Sequence, residues 1–243
     1  MKTRILSYIL IVGSCALFGQ TAEEILDNSA KAQLNGNNIE EYFSLQTKGS
    51  MQMPGGMEAT FEIFQKEGGK FYMKTSIPSV GMEVEQGCNG KDCYSVDPMI
   101  GPRLLEGEEL ANSLLEADFQ SEFKWRDTFA TYKLIGEETV EGRPCYKMDL
   151  VTKAGLELTS YYEKETFLIR RIDTVVENEM MGKVTGKIYF DHYQEFQGIL
   201  LPTQKVMEMI SNRIEMKMTD YQFNVKMDES IFKIPETLNQ PAK

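Results

Sequence analysis

Few residues in this chain could do covalent or acid–base chemistry. The only histidine, His192, stands beside Asp191 in a strand-like run. Neighbouring strand residues point to opposite faces, so these two cannot form a dyad directly, and His192 reads as a residue on a strand face or edge. Cys88 and Cys93 flank Asn89-Gly90-Lys91-Asp92, a turn carrying the Asn-Gly pair of hairpins. Residues flanking such a turn face each other, so a disulfide fits in an oxidising compartment, and a pair of buried free thiols fits the same positions. The spacing is wrong for a thioredoxin-type pair. Cys145 is left alone and reads as buried rather than reactive.

No His-Glu-x-x-His, Gly-x-Ser-x-Gly or phosphate-binding glycine loop occurs. One histidine without a close cysteine cluster leaves a zinc site short of ordinary ligands. Carboxylates are plentiful, and a buried pair could do acid–base work without a motif, but most fall where strand alternation puts them in water. The expectation is a protein that binds rather than catalyses, with no cofactor. The formal charge of −11 argues against nucleic acid as a partner, because a phosphate backbone would repel it.

Methionine is the residue type that suggests a ligand. Fourteen follow Met1, and many fall on the apolar parity of alternating segments. Flexible, polarizable methionine suits a surface that must fit variable apolar partners, although it also serves as core filler. The candidate lining of an apolar cavity is Met57, Phe61, Ile63, Phe71, Met73, Met82, Met207, Met209, Met216 and Met218.

The elements that would position these side chains follow from the same pattern. Lys2 and Arg4, the apolar run Ile5–Val12 and the small residues of Gly13–Gly19 have the layout of a secretory signal peptide covering residues 1–19, leaving Gln20 first and one domain over 20–243. Val12-Gly13-Ser14-Cys15 offers an alternative, a lipidated Cys15 tethering the protein to a membrane. Thr21 and Glu24 form a capping box for a helix reaching about Leu34. Period-two segments then follow, broken at Pro54-Gly55-Gly56, Gly68-Gly69 and Asn89-Gly90. Glu106–Leu115 carries leucines at helical spacing, and a loosely patterned stretch holds the only tryptophan, Trp125. After more alternation, parity flips at Thr219-Asp220, which predicts a bulge.

The sum is a mainly-β α+β chain of about ten or eleven strands with two or three short helices. So large an antiparallel sheet curls or closes. With so little helix to cover it, the dry face either meets itself in a packed barrel or lines a cavity. A packed structural or adaptor domain and a carboxylate-dependent hydrolase are the alternatives to a carrier.

The ordered pieces resemble a known group. They run from Thr21-Ala22-Glu23-Glu24 and Gly49-Ser50-Met51-Gln52-Met53 through the hairpin Gly87–Tyr94 and Asp97-Pro98-Met99-Ile100-Gly101-Pro102-Arg103. Leu134–Arg143, Tyr162-Glu163-Lys164-Glu165-Thr166, Gly198-Ile199-Leu200-Leu201-Pro202 and the closing Asn224–Pro235 continue the series. In this order they resemble the outer-membrane lipoprotein-sorting proteins, the LolA/LolB-like group. The resemblance implies an incomplete antiparallel barrel capped by helices, with an apolar cavity for lipid or lipoprotein acyl chains. It further implies a periplasmic carrier, with envelope membrane proteins as possible partners. No position here is matched to the arginine that latches the helical lid in the better-known carriers.

Overall fold

The computed structural model describes residues 19–178, 182–210 and 212–238. Cys15 and, apart from Gly19, the expected signal peptide lie outside the described residues. Helix α1, Ala22–Leu34, starts as its sequence predicts. The Thr21 hydroxyl accepts from the Glu24 amide, and the Glu24 carboxylate accepts from the Thr21 amide. It ends at Asn35, whose left-handed backbone turns the chain away. Six strands follow: β1 (Ser44–Met53), β2 (Met57–Lys66), β3 (Lys70–Ile77), β4 (Met82–Asn89), β5 (Cys93–Asp97) and β6 (Gly101–Leu104). Two helices, α2 (Gly107–Ala117) and α3 (Trp125–Thr128), interrupt the meander. It resumes as β7 (Phe129–Val140), β8 (Arg143–Thr152), β9 (Glu157–Glu163), β10 (Ile169–Asn178), β11 (Gly182–Phe196), β12 (Ile199–Met209) and β13 (Asn212–Phe223).

Among the described residues all thirteen strands belong to one sheet, ordered β6 to β1 and then β13 back to β7. Every pairing is antiparallel, and the return of β13 onto β1 joins the two halves of the meander. The sheet is not closed: β6 and β7 are its free edges, and the helical segment between them spans the gap in sequence.

Thirteen strands replace the ten or eleven expected, and the difference has a physical cause. Both edge strands are poor in apolar alternation. Edge strand β6 has four residues, with Pro102 where no ladder donor is needed. At the other edge, β7 is mostly exposed or half-buried and carries two register shifts. Charge, proline and irregularity are what an edge needs to avoid pairing with another chain, and they also blur the period-two signal.

The bulge falls where parity flips. Lys48 pairs with Asp220 but Gly49 pairs with Met218, so Thr219 is the extra residue. Met218, Tyr221 and Phe223 are therefore all buried despite their mixed parity.

Two apolar clusters occupy the concave side. Under α1 and α3, Ile25, Leu26 and Trp125 pack on Met148, Leu150, Leu158, Tyr162 and Ile169 of β8 to β10. The Trp125 indole donates to Asp27 Oδ1 at 3.1 Å and meets Tyr132 edge-on at 5.0 Å. A second cluster joins β1, β2 and β13 through Leu45, Met51, Phe61, Met218, Tyr221 and Phe223.

Candidate functional site

Between the two clusters the concave face is hollow. Strand alternation puts one side chain in two on this face, and antiparallel register lines those side chains up across strands. One row runs Ile172, Ile188, Met207, Ile214 across β10 to β13. The next runs Phe190, Lys205, Met216, Met51 across β11, β12, β13 and β1. Further along the sheet Ile63 faces Met73, and Gln65 faces Phe71. Gly49 leaves room for Phe61: a Cβ at Gly49 would meet Phe61 Cζ at 2.4 Å.

These rows and the helical segment enclose a partly open cavity of about 490 Å³, within the roughly 300–1,000 Å³ range of small-molecule sites. Leu115 and Glu116 of α2, then Phe119, Glu122 and Phe123, form its roof, with Gln33 from α1.

The roof is tied to the sheet by polar contacts. Gln65 Nε2 donates to the Glu116 carbonyl at 2.8 Å, and Gln120 Nε2 donates to the Tyr42 carbonyl at 2.6 Å. Arg103 holds Glu109 of α2 through both guanidinium nitrogens, at 2.7 and 2.6 Å. At the other end of the roof, Arg126 grips Asp27 of α1 in the same bidentate way. Cys88 and Cys93 are register partners across β4 and β5, joined as a disulfide with Cα atoms 4.1 Å apart. Their sulfurs pack with Leu110, Leu114 and Ala117, so this hairpin carries the inner face of α2. Cys145 is fully buried, and burial pushes its thiol pKa up.

Of the candidate lining, Phe61, Ile63, Phe71, Met73, Met207, Met216 and Met218 border the cavity. Met57, Met82 and Met209 do not. All three have the parity of the concave face, but each is the terminal residue of its strand: β2, β4 and β12. They stand at the rim formed by the β1–β2, β3–β4 and β12–β13 turns, where Met57 is 36% exposed. Parity assigns a face but not a depth along the strand.

Sequence reasoning missed four charged residues at the cavity: Lys205 on the sheet wall, and Glu116, Asp118 and Glu122 in the roof. Lys205 was legible, since it shares the parity of Met207 and Met209 and is a lone charge on a dry face. Burial pushes its pKa down, and nearby Glu116 and Glu122 oppose that shift. Glu116 borders the cavity while much of its area stays accessible, and desolvation pushes its carboxyl pKa up. Glu122 is raised for the same reason, with a hydrogen bond from Gln33 pulling the other way. Two of the phenols around the cavity are satisfied: Tyr193 donates to the Ile169 carbonyl at 2.9 Å and Tyr221 to the Pro202 carbonyl at 2.7 Å. His192 is exposed and sits in a left-handed kink of β11, away from these groups.

Comparison with known proteins follows this geometry. A family model described as "Uncharacterized protein" matches residues 102–237, from β6 through the roof and β7 to β13. No curated protein matches the chain. Among solved structures, a DUF1329 family protein from Desulfovibrio piger aligns with a TM-score of 0.58 at 17% identity, covering 87% of this chain and 97% of that one. A domain assigned to outer membrane lipoprotein-sorting proteins, from Vibrio parahaemolyticus, aligns at 0.56 with 11% identity over 87% and 97% of the two chains. A LolA superfamily protein from Nitrosomonas europaea aligns at 0.58 with 14% identity over 90% and 100%. At such identities the likeness establishes a shared fold, the open antiparallel sheet with helices on its concave side.

Proposed function

The chain belongs to the family described as "Uncharacterized protein", and from its LolA-like fold and its cavity we propose that it is an exported, non-catalytic carrier of lipid or lipoprotein acyl chains. One observation carries the reading: a curled sheet of this size leaves a hollow lined by half-buried Met, Phe and Ile under a helical roof. A solid core would fill that volume, because protein interiors pack to crystal-like density. Each methylene transferred into such a lining contributes about 0.8 kcal/mol, so part of an acyl chain suffices for useful affinity. The similar Vibrio domain bears a lipoprotein-sorting description, which fits the same cargo.

On this reading residues 1–19 are a signal peptide, 20–243 form one lipid-binding domain, and the protein works in the periplasm. Acylation at Cys15 would instead tether it to a membrane. The Cys88–Cys93 disulfide suits an oxidising compartment of that kind. Release of cargo takes a movement of the roof or a competing acceptor, and envelope membrane proteins are the fitting donors and acceptors. Among the described residues no helix is long and apolar enough to cross a membrane.

Native mass spectrometry of the mature protein from its own periplasm, followed by organic extraction, tests this. The expected result is a co-purifying acylated species released on denaturation. A clean apo mass, with no uptake of added lipid, would instead indicate a packed structural domain. Met73→Asp, which puts a charge on the cavity wall, should abolish uptake in a folded protein.

A further inference from the structure

Lys205 is out of place on its strand. Its inward neighbour along β12 is Met207, and its cross-strand partners are Phe190 and Met216. Among the described residues it makes no hydrogen bond or ion pair, and its ammonium lies 5.5 Å from the centre of the Phe190 ring. Glu116 and Glu122 face the same space from the roof, too far away to form a salt bridge with it. An ammonium held against a ring face in a largely apolar hollow, without a hydrogen-bond acceptor, costs free energy that a methionine at the same position would not. A ligand that enters the cavity with an acceptor for it would offset that cost.

Building on the carrier reading, we propose that the cavity is selective for an acyl lipid with an anionic head, whose carboxylate or phosphate oxygen accepts a hydrogen bond from Lys205 while the chain lies along the methionine-rich rows. In the empty protein Glu116 attracts this ammonium through space without touching it, and a protonated Glu116 can donate to the second oxygen of the head. This distinguishes the cargo from lipoprotein acyl chains, which are amide- or ester-linked and bring no anionic oxygen at the end of the chain.

The experiment compares three probes on the mature protein by titration calorimetry: palmitic acid, a palmitoyl lysophosphatidic acid and uncharged methyl palmitate. Lys205→Met, which continues the apolar row, should weaken the acid at least about tenfold, the effect of losing one charge-assisted hydrogen bond, and leave the ester within about twofold. Glu116→Gln should tighten the acid severalfold and leave the ester unchanged. If Lys205→Met weakens acid and ester equally, or neither, the anchor is refuted while the carrier reading stands. If none of the three probes binds the unaltered protein, the carrier reading itself falls. Preference between palmitate and the lysophosphatidic acid tells carboxylate from phosphate as the natural head.

Discussion

The two ends of the concave face are made from the same kinds of residue and are finished differently. Under α1 and α3 the sheet is filled: Ile25 and Met148 are each 0% exposed and Trp125 is 2% exposed. Beside it, under α2 and the segment that follows, the sheet is left hollow, and Met73, Met207 and Met216 stay half-buried against empty volume. What separates them is where the helix overhead sets its apolar side chains. Helix α1 buries Ile25 and Leu26 in the cluster it shares with β8 to β10 and is held by Asp27 to Trp125 and Arg126. Helix α2 turns Leu110 and Leu114 toward the disulfide hairpin, while its Leu115 borders the cavity. One end is a closed core, and the other borders the cavity.

Truncating the filled end should give the largest effect. Trp125→Ala removes a buried aromatic and leaves Asp27 without its indole donor, and a loss of about 3–5 kcal/mol is expected in chemical denaturation. A loss below about 1 kcal/mol would show that α1 and α3 are dispensable covers. A sharper test uses one residue type in both places. Met148→Ala should cost about 2–5 kcal/mol, because a closed core cannot relax around the missing atoms. Met216→Ala, whose side chain already borders a void, should cost less than about 1 kcal/mol and enlarge the cavity. Equal costs for the two would mean that the hollow collapses or is filled in solution, and the contrast between the ends would disappear.

The smallest expected effect concerns the tie between α1 and α3. The hydrogen bond from Arg126, with lesser help from Trp125, holds the Asp27 carboxyl below its ordinary value of 3.8. A depressed folded-state pKa contributes stability that is complete above the unfolded value and lost as pH falls through the folded one. Stability should therefore fall below about pH 4 by an extra increment in the natural protein. Asp27→Asn should be slightly less stable at neutral pH and lack that increment. Because the Arg126 side chain is 61% exposed, solvent screening keeps the difference small. Thermal melts at pH 3 and pH 7 would reveal it, and an identical pH response in both proteins would remove Asp27 from the account.

Much of this architecture is written in local patterns. The capping box at Thr21 and Glu24 depends on two side chains and two amides three residues apart, so nothing distant can alter it. Alternation assigned Phe61, Ile63, Met73, Met207 and Met216 to the dry face, and the parity flip located Thr219 as the bulge. The Asn-Gly turn set Cys88 opposite Cys93. Edge strands were harder to see, because charge and proline that protect an edge also remove the apolar signal by which a strand is recognised.

What needed the tertiary structure was everything that depends on depth and on distant partners. Met57, Met82 and Met209 have the right parity and stand at the rim, since period two says which face a residue takes and nothing about how far along the strand the cavity lies. The charge of Lys205 could be read from the chain, but its meaning could not. Only the fold shows that Phe190 and Met216 flank it and that Glu116 and Glu122 reach the same space from the roof. Local geometry is set by bonds and neighbours a few residues apart. The hollow exists because thirteen strands curl farther than the short helices above them can fill.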